Sequence, residues 1–158
     1  MTIPEATERV REAARRLGFE VDVHLFPEGT KTSADAAAAI GCEVSAIAKS
    51  IVLTLDDAEQ IVVFASGDTR IDPAKLAAAA GAGAARRATL EEARAATSFA
   101  AGGTPPFGYP TELRVFADVA LRRHHEVWSA GGTPTTVFPI SPATLVALTG
   151  ATWVDVAE

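Results

Sequence analysis

The sequence predicts a mixed α/β fold in a single compact domain, with a mixed β-sheet flanked by helices. Helical and strand patterns intermix along the chain, a tight hairpin joins two central strands, and a run of strands comes late. These observations favour a mixed sheet over a doubly wound parallel one. Because 158 residues support one domain and leave little room for two, we expect it to span residues 1–158.

Apolar spacing and capping residues define the elements of the first half of the chain. Helical spacing gives way after Gly18 to apolar–polar alternation, which is typical of a strand with one exposed face. Thr32 and Asp35 form a capping-box-like start for an alanine-rich helix. Asp56 and Asp57 separate two apolar runs and predict the hairpin turn. The predicted elements are a helix over 3–17, a strand over 19–26, a loop over 27–32, a helix ending at 41, a helical turn over 43–48, and strands over 50–55 and 60–66.

Capping residues also mark the helices of the second half. Asp72 precedes a proline suited to the first helical position, Thr89 and Glu92 form a second capping-box pair, and Ser141 opens the last helix. The predicted elements are a helix from 73 to about 81, a short strand over 84–87, a helix over 90–96, a loop rich in Gly and Pro over 101–110, strands over 112–118, 125–131 and 135–140, a helix over 141–150, and an edge strand over 153–156.

Composition and charge exclude several classes of protein. Apolar residues make up 48% of the chain and charged residues 22%, which is typical of a globular protein. No run approaches ~18 uncharged apolar residues and the N-terminus lacks a signal-peptide core, so we expect a cytoplasmic protein without a membrane partner. The net charge of −6 opposes broad electrostatic binding to nucleic acid, but it permits local contacts with one end of a nucleic acid.

No cofactor or metal site is expected. The dinucleotide fingerprint and the phosphate-loop motif are both missing. The single cysteine, Cys42, excludes an intramolecular disulfide and a Cys-pair zinc site; we interpret it as a small packed hydrophobe, with a nucleophile as the alternative. His24 falls in the first strand, while His124 and His125 are adjacent and would point to opposite faces of a strand, so no three ligands have metal-site spacing.

Lys49 is the most informative single residue, because it interrupts the apolar run AIAKSIVLTL. Burying an unpaired ammonium costs several kcal/mol, so a lysine is seldom placed there without a reason. One interpretation is a cation at the floor of a pocket that holds a phosphate or carbonyl oxygen. The alternative is a side chain that snorkels to the surface at a helix-to-strand junction.

The second informative feature is the loop from Gly102 to Gly108, with the sequence GGTPPFG. Glycines allow close approach of the backbone to a ligand and prolines stiffen the neighbouring residues, which suits binding through main-chain groups. An ordinary connection made of turn residues is the alternative. Gly131-Gly132 is a second, weaker candidate for such a loop, and a hairpin turn explains it.

Two pairs of adjacent arginines have two interpretations. Arg86-Arg87 and Arg122-Arg123 fit either solvent-exposed faces or contacts to a phosphate backbone.

Three segments, taken in order, resemble the YbaK/prolyl-tRNA synthetase-associated family of aminoacyl-tRNA deacylases. They are TKTSADAAAAIGCEVSAIAKSIVL, the GxxxP loop GGTPPFG, and EVWSAGG followed by a strand and SPATLVALTGA. The resemblance implies a compact α/β domain with a barrel-like sheet, and metal-independent hydrolysis of the ester of a mischarged amino acid on the acceptor end of tRNA. Some relatives carry an acidic residue where this chain has Thr135 and Thr136, so alanine, cysteine, serine and threonine all stay open as the amino acid removed.

The same resemblance assigns roles to residues of this chain. Lys49 would be the pocket lysine, which contacts the terminal phosphate or orients the substrate. Gly102, Gly103 and Thr104 would position the ester carbonyl and the attacking water, or the substrate's own hydroxyl, and Pro106 would hold the loop in shape. The expected substrate-binding residues are Pro105, Pro106, Phe107, Gly108 and Gly131. Two rivals remain: a catalytically inactive module of the same fold that binds a tRNA end or a protein, and a small-molecule hydrolase that uses Cys42. The pattern does not define an oligomeric state.

Overall fold

Five α-helices and eight strands make up the regular structure of the protein, seen in a computed structural model that describes residues 3–30 and 32–158. The helices are α1 (Glu5–Arg16), α2 (Ser33–Ile40), α3 (Pro73–Ala80), α4 (Leu90–Thr97) and α5 (Pro142–Thr149). The strands are β1 (His24–Leu25), β2 (Ala48–Leu55), β3 (Glu59–Ser66), β4 (Ala85–Arg87), β5 (Val115–Asp118), β6 (Val127–Ala130), β7 (Thr136–Ile140) and β8 (Thr152–Val154). Two 3-10 turns cover Val44–Ala46 and Val119–Arg123.

The strands form two sheets, which confirms the predicted mixed α/β class. The larger sheet has the order β4-β2-β3-β5-β8, with antiparallel pairs around β2 and parallel pairs on either side of β5. The smaller sheet, β1-β7-β6, is antiparallel. A single parallel bridge between Ile47 and Trp128 links the sheets where β2 begins. Within the described residues the sheets stay open, so the barrel-like closure that the resemblance implied does not form.

Most predicted helix boundaries are confirmed, because each depends on a local capping interaction. The side chains of Thr32, Asp72, Thr89 and Ser141 accept hydrogen bonds from N–H groups in the first turns of α2, α3, α4 and α5. Thr89 and Glu92 form the full capping box. Lys31, in the predicted loop over 27–32, lies outside the described residues. None of the described helices is long and apolar enough to cross a membrane.

Three strand predictions were too long, and one of them, over 125–131, pairs only over Val127–Ala130 as β6. The alternating segment 19–26 pairs with β7 only at His24 and Leu25, although its inward side chains pack on the core as the alternation requires. The segment 112–118 begins as a strand only at Val115, and the preceding Arg114 forms an ion pair with Glu59 at 2.9 Å. Alternation reports which face is buried, whereas strand length depends on a partner that the local sequence does not specify.

The sheet buries apolar side chains on both faces, and the alternation along β2 divides them. Ala48 and Val52 belong to the cluster that contains Phe64 and Phe138, whereas Ile51 and Leu53 belong to the cluster covered by α3. Successive residues of a strand point to opposite faces. The register of β2 therefore places the side chains of Lys49 and Ser50 on opposite faces of the larger sheet.

Phe138 connects the core to the loop over 101–110. It is fully buried, and its ring centroid lies 5.9 Å from that of Phe107 and 6.4 Å from that of Phe19. We expect Phe138→Ala to lower the free energy of unfolding by ~3–5 kcal/mol, because it removes a buried ring and leaves a cavity. Leu90→Ala, at a side chain that is 75% exposed, is the control and should change it by less than ~0.5 kcal/mol. Urea denaturation of both variants provides the measurement, and equal effects would contradict the assignment.

Candidate active site

A cavity of about 60 Å³ lies between the two sheets, beside the bridge that links them. Its wall includes Lys49, Ser50, Gly102, Thr104, Trp128 and Ser129. The structure thus brings Lys49 and the glycine-rich loop to one cavity, although they are far apart in sequence. A water molecule occupies ~30 Å³ of liquid, so the cavity admits only a small chemical group.

The glycine-rich loop borders the cavity with its first residues and is anchored by the rest. Gly102 has a φ of 83°, in the left-handed region that favours glycine. A Cβ on Gly103 would lie 2.7 Å from Thr133 Cα, so that position has no room for a side chain. Neither the Gly102 nor the Thr104 N–H donates a hydrogen bond to any described residue. Two main-chain donors therefore remain available beside the cavity.

The other predicted loop residues lie behind the cavity wall. Pro105 O accepts a hydrogen bond of 2.7 Å from the Tyr109 hydroxyl, and burial raises the pKa of Tyr109, so this phenol stays protonated and donating. Phe107 packs on Phe138 in the core. A separate depression on the surface has Pro106, Phe107 and Gly108 in its wall. These residues hold the loop in place rather than facing the cavity.

Gly131 is placed by close packing against β7. Its N–H donates to Thr136 O at 2.8 Å, and an added Cβ would lie 3.1 Å from Thr136 Oγ1. Thr136 is fully buried, with its hydroxyl 3.1 Å from that of Thr7 and 2.8 Å from that of Thr133. Thr136 is thus engaged in an internal network of hydroxyl groups.

Lys49 borders two openings, one on each side of β2. It contributes to the wall of the 60 Å³ cavity, and also to a cleft of about 290 Å³ that includes Thr69, Arg70 and Arg87. Its ammonium donates to Thr69 O at 3.4 Å, on the side of the cleft. Burial and, secondarily, the positive charge of Arg87 lower the pKa of Lys49, while Asp68 and Asp118 oppose this change.

A buried carboxylate fixes the turn that faces Lys49. Asp118, 1% exposed, ends β5 and accepts hydrogen bonds from the Thr69 hydroxyl at 2.6 Å, from Ser66 N–H at 3.1 Å and from Ala120 N–H at 2.9 Å. These hydrogen bonds compensate the buried carboxylate of Asp118. They also hold Thr69 in place, and its carbonyl accepts the hydrogen bond from Lys49. Asp118 was not among the residues predicted for the site, although an acidic residue at the end of an apolar strand was the available signal in the sequence.

Two serines of the cavity wall, also missed from sequence, have buried hydroxyls without a hydrogen-bond partner among the described residues. Ser129 is 1% exposed, and neither its Oγ nor that of Ser50 has a hydrogen-bond partner within the described residues. Ser50 is close enough to the Tyr109 hydroxyl to offset the rise of that pKa in part, but the geometry does not make a hydrogen bond, and the phenol donates to Pro105 instead. A buried hydroxyl without a partner costs ~1–3 kcal/mol.

Cys42 and the histidines do not take part in this cavity. Burial raises the pKa of the Cys42 thiol, which disfavours the nucleophilic thiolate, and the residue packs beside Ile47 and Trp128. His24 pairs with Asp22 at 2.9 Å, and His124 Nε2 lies 2.9 Å from Ser45 Oγ. Across residues 3–30 and 32–158, no three His, Cys, Asp or Glu side chains group as metal ligands.

The fold and this cavity can be compared with known proteins. A family model described as an aminoacyl-tRNA editing domain matches residues 27–148. The chain therefore belongs to the aminoacyl-tRNA editing domain family, which confirms the resemblance seen in the sequence.

Relatives with similar sequences cover most of the chain. YwhH, an uncharacterized protein of Bacillus subtilis (strain 168), is 31% identical over 140 residues, which make up 88% of each protein. A crystal structure described as that of a candidate trans-editing enzyme for prolyl tRNA synthetase is 39% identical and superposes with a TM-score of 0.92, covering 99% of both chains. A scaffold protein for computational epitope grafting is 36% identical, with a TM-score of 0.91 and 99% coverage of both chains.

The close approach of Gly103 to Thr133 makes a specific prediction. Gly103→Ala should lower the free energy of unfolding by ~1–3 kcal/mol, because the new methyl group must displace backbone rather than a flexible side chain. Ala101→Ser, at an exposed position of the same loop, is the matched control and should be neutral within ~0.5 kcal/mol. Urea denaturation distinguishes the two, and an unchanged Gly103→Ala protein would contradict the described packing.

Proposed function

We propose that this protein is a trans-acting aminoacyl-tRNA deacylase that hydrolyses the ester of a mischarged tRNA, with the functional domain spanning residues 1–158. Membership of the editing family supports the reaction class. The observation that carries the proposal is that Lys49, Gly102 and Thr104 line one cavity, where the N–H groups of Gly102 and Thr104 are free within the described part of the chain, while the Lys49 ammonium lies on the side of the neighbouring cleft. The relative described as a trans-editing enzyme candidate for prolyl tRNA synthetase makes a tRNA charged by that enzyme the first substrate to test.

In the proposed reaction, water attacks the ester carbonyl carbon and the bond to the tRNA ribose oxygen breaks. The attacking water gives one proton to the leaving ribose oxygen, so that the products are a free amino acid and an uncharged tRNA. The N–H groups of Gly102 and Thr104 donate to the oxygen that becomes negative in the transition state. An aminoacyl ester is already activated, so positioning and oxyanion stabilisation are sufficient chemistry for these residues.

The remaining residues of the loop support this geometry. Gly103 allows the loop to lie against Thr133, and Pro105, Pro106, Phe107 and Gly108 hold it against the core. Lys49 acts as a point charge that binds or orients the tRNA end. A displacement of about 1 Å at such a site costs ~10²-fold in rate, which explains why residues behind the wall matter.

The volume of the cavity supports a small amino acid as the one removed. A space of about 60 Å³, with Trp128 and Gly102 in its wall, accommodates a short side chain. One methylene group changes binding by only ~1–3 kcal/mol, which is the reason that synthetases need a separate editing site. Ser50 and Ser129 also belong to the wall of this space, and their buried hydroxyls have no hydrogen-bond partner among the described residues.

Replacement of Lys49 tests the proposal. Lys49→Met should lower deacylation by ~10²-fold or more across a panel of mischarged tRNAs while keeping or raising the melting temperature. The Lys49 pKa is lower in the folded than in the unfolded chain, so its charge opposes folding at neutral pH, and this penalty is relieved as the pH rises through the lowered pKa. Activity that needs the ammonium should therefore fall at a lower pH than for an ordinary lysine.

Lys75→Met is the matched control. Lys75 lies on α3, where it donates to Ala157 O at 2.7 Å and pairs with Asp155 at 3.5 Å, away from the cavity. It should keep full activity. Turnover of none of the mischarged tRNAs by the unmodified protein would refute the deacylase and favour the inactive binding module. Full turnover by Lys49→Met would refute the role of the lysine alone.

The unpaired hydroxyl of Ser129 yields a separate prediction. Ser129→Ala removes a buried group that has no partner in the described residues, so stability should be unchanged or higher. If the hydroxyl binds substrate, kcat/KM for the preferred mischarged tRNA should fall by ~10-fold, the value of one hydrogen bond. Thermal melting and deacylation rates measure both effects. A loss of stability without a loss of rate would show a structural role only.

A further inference from the structure

The two arginines of β4 have different surroundings despite being adjacent. Arg86 pairs with Thr54 in the β2–β4 register and Arg87 with Leu53, so their side chains leave opposite faces of the sheet. Arg86 donates to both carboxylate oxygens of Glu92, at 2.8 and 3.0 Å, and to Asp57 at 2.9 Å. These bonds raise the pKa of Arg86 and satisfy its charge within the protein.

Arg87 lacks such partners. Its side chain is exposed and makes no hydrogen bond or ion pair with any described residue. It leaves the sheet on the same face as Leu53, Ile51 and Lys49, and its positive charge helps to lower the Lys49 pKa. Arg87 and Lys49 are like charges that repel each other at one cleft. An anion bound between them would be attracted to both, so the cleft suits an anionic ligand.

The cleft that these cations share carries a third positive charge. Its wall includes Lys49, Arg70 and Arg87 and a single acidic residue, Glu158, in a space of about 290 Å³. Arg70 is mostly exposed, and its 3.6 Å pair with Glu158 is of the surface type that contributes only ~0–1 kcal/mol. A net positive cleft on a chain of charge −6 is a local departure from the overall electrostatics.

We propose that Arg87, with Lys49 and Arg70, binds a backbone phosphate of the single-stranded 3′ end of tRNA. This proposal rests on the proposed function and names a further binding residue for it. A guanidinium fork matches the oxygens of a phosphodiester, and binding there relieves the repulsion between Arg87 and Lys49. Lys49 borders both openings, so a phosphate bound in the cleft lies beside a residue that also lines the cavity with Gly102.

Salt-dependent binding of an uncharged tRNA acceptor-stem hairpin tests this site without requiring turnover. Fluorescence anisotropy is measured from 50 to 200 mM KCl for the unmodified protein, Arg87→Gln and Arg86→Gln. Arg87→Gln should weaken binding and reduce the slope of log K against log[KCl] by ~0.7, as expected for one lost contact to a single strand. Arg86→Gln, which removes the same formal charge one residue away, should leave the slope unchanged. Circular dichroism confirms that both variants are folded.

A second hairpin without the unpaired 3′ nucleotides locates the contact. The effect of Arg87→Gln should disappear with this ligand; an effect that persists would place the arginine on the duplex and overturn the proposal. Equal slopes for the two variants, or no binding of the full hairpin at low salt, would also overturn it. If the salt slope depends on Arg87 but the protein has no deacylation activity, the proposed catalysis is refuted and the phosphate site is supported. If Arg87→Gln deacylates normally, with an unchanged KM and an unchanged salt slope, the phosphate site alone is refuted.

Discussion

The eight-residue antiparallel ladder between β2 and β3 is the constraint on which the site depends. Its register, from Ala48 opposite Ser66 to Leu55 opposite Glu59, fixes which face of the sheet receives each side chain of β2. A slip of one residue would exchange Lys49 and Ser50 between the cleft and the cavity and would move each core residue of β2 to the opposite face of the sheet. The large amount of apolar surface buried on both faces makes such a slip costly.

Asp118 fixes the geometry on the face of the sheet that carries Lys49 and the cleft, as the β2–β3 register does for the strands. By binding Ser66 and Thr69 it ties the end of β3 to the turn that follows, and this turn presents the carbonyl that accepts from Lys49. The lysine thus lies among fixed partners, and its charge is held near the surface of the cleft rather than in the apolar core. Burial, a neighbouring guanidinium and two carboxylates together determine its protonation.

The sequence predicted the features that depend on neighbouring residues. The caps at Thr32, Asp72, Thr89 and Ser141 and the hairpin turn at Asp56-Asp57 are local, and the structure contains all of them. The GxxxP loop and Lys49 were selected from residue type and family resemblance, and they line one cavity. The lengths of the first strand and of β5 were overestimated, because they depend on pairing with distant segments. Arg86 is paired with Glu92 and Arg87 is not, and the Ser129 hydroxyl has no partner among the described residues. These differences depend on tertiary contacts that no local sequence pattern contains.

The pairing of β1 with β7 also affects the order in which the protein can be assembled. His24 lies opposite Val137, so more than a hundred residues of intervening chain separate two partners of the smaller sheet. Contacts so distant in sequence form late, because the entropy of closing the loop is lost before they can compensate for it. During synthesis on the ribosome the β2–β3 hairpin can form as soon as it emerges. The cavity, which needs β6 and β7 for its far wall, is completed only after β7 has been made.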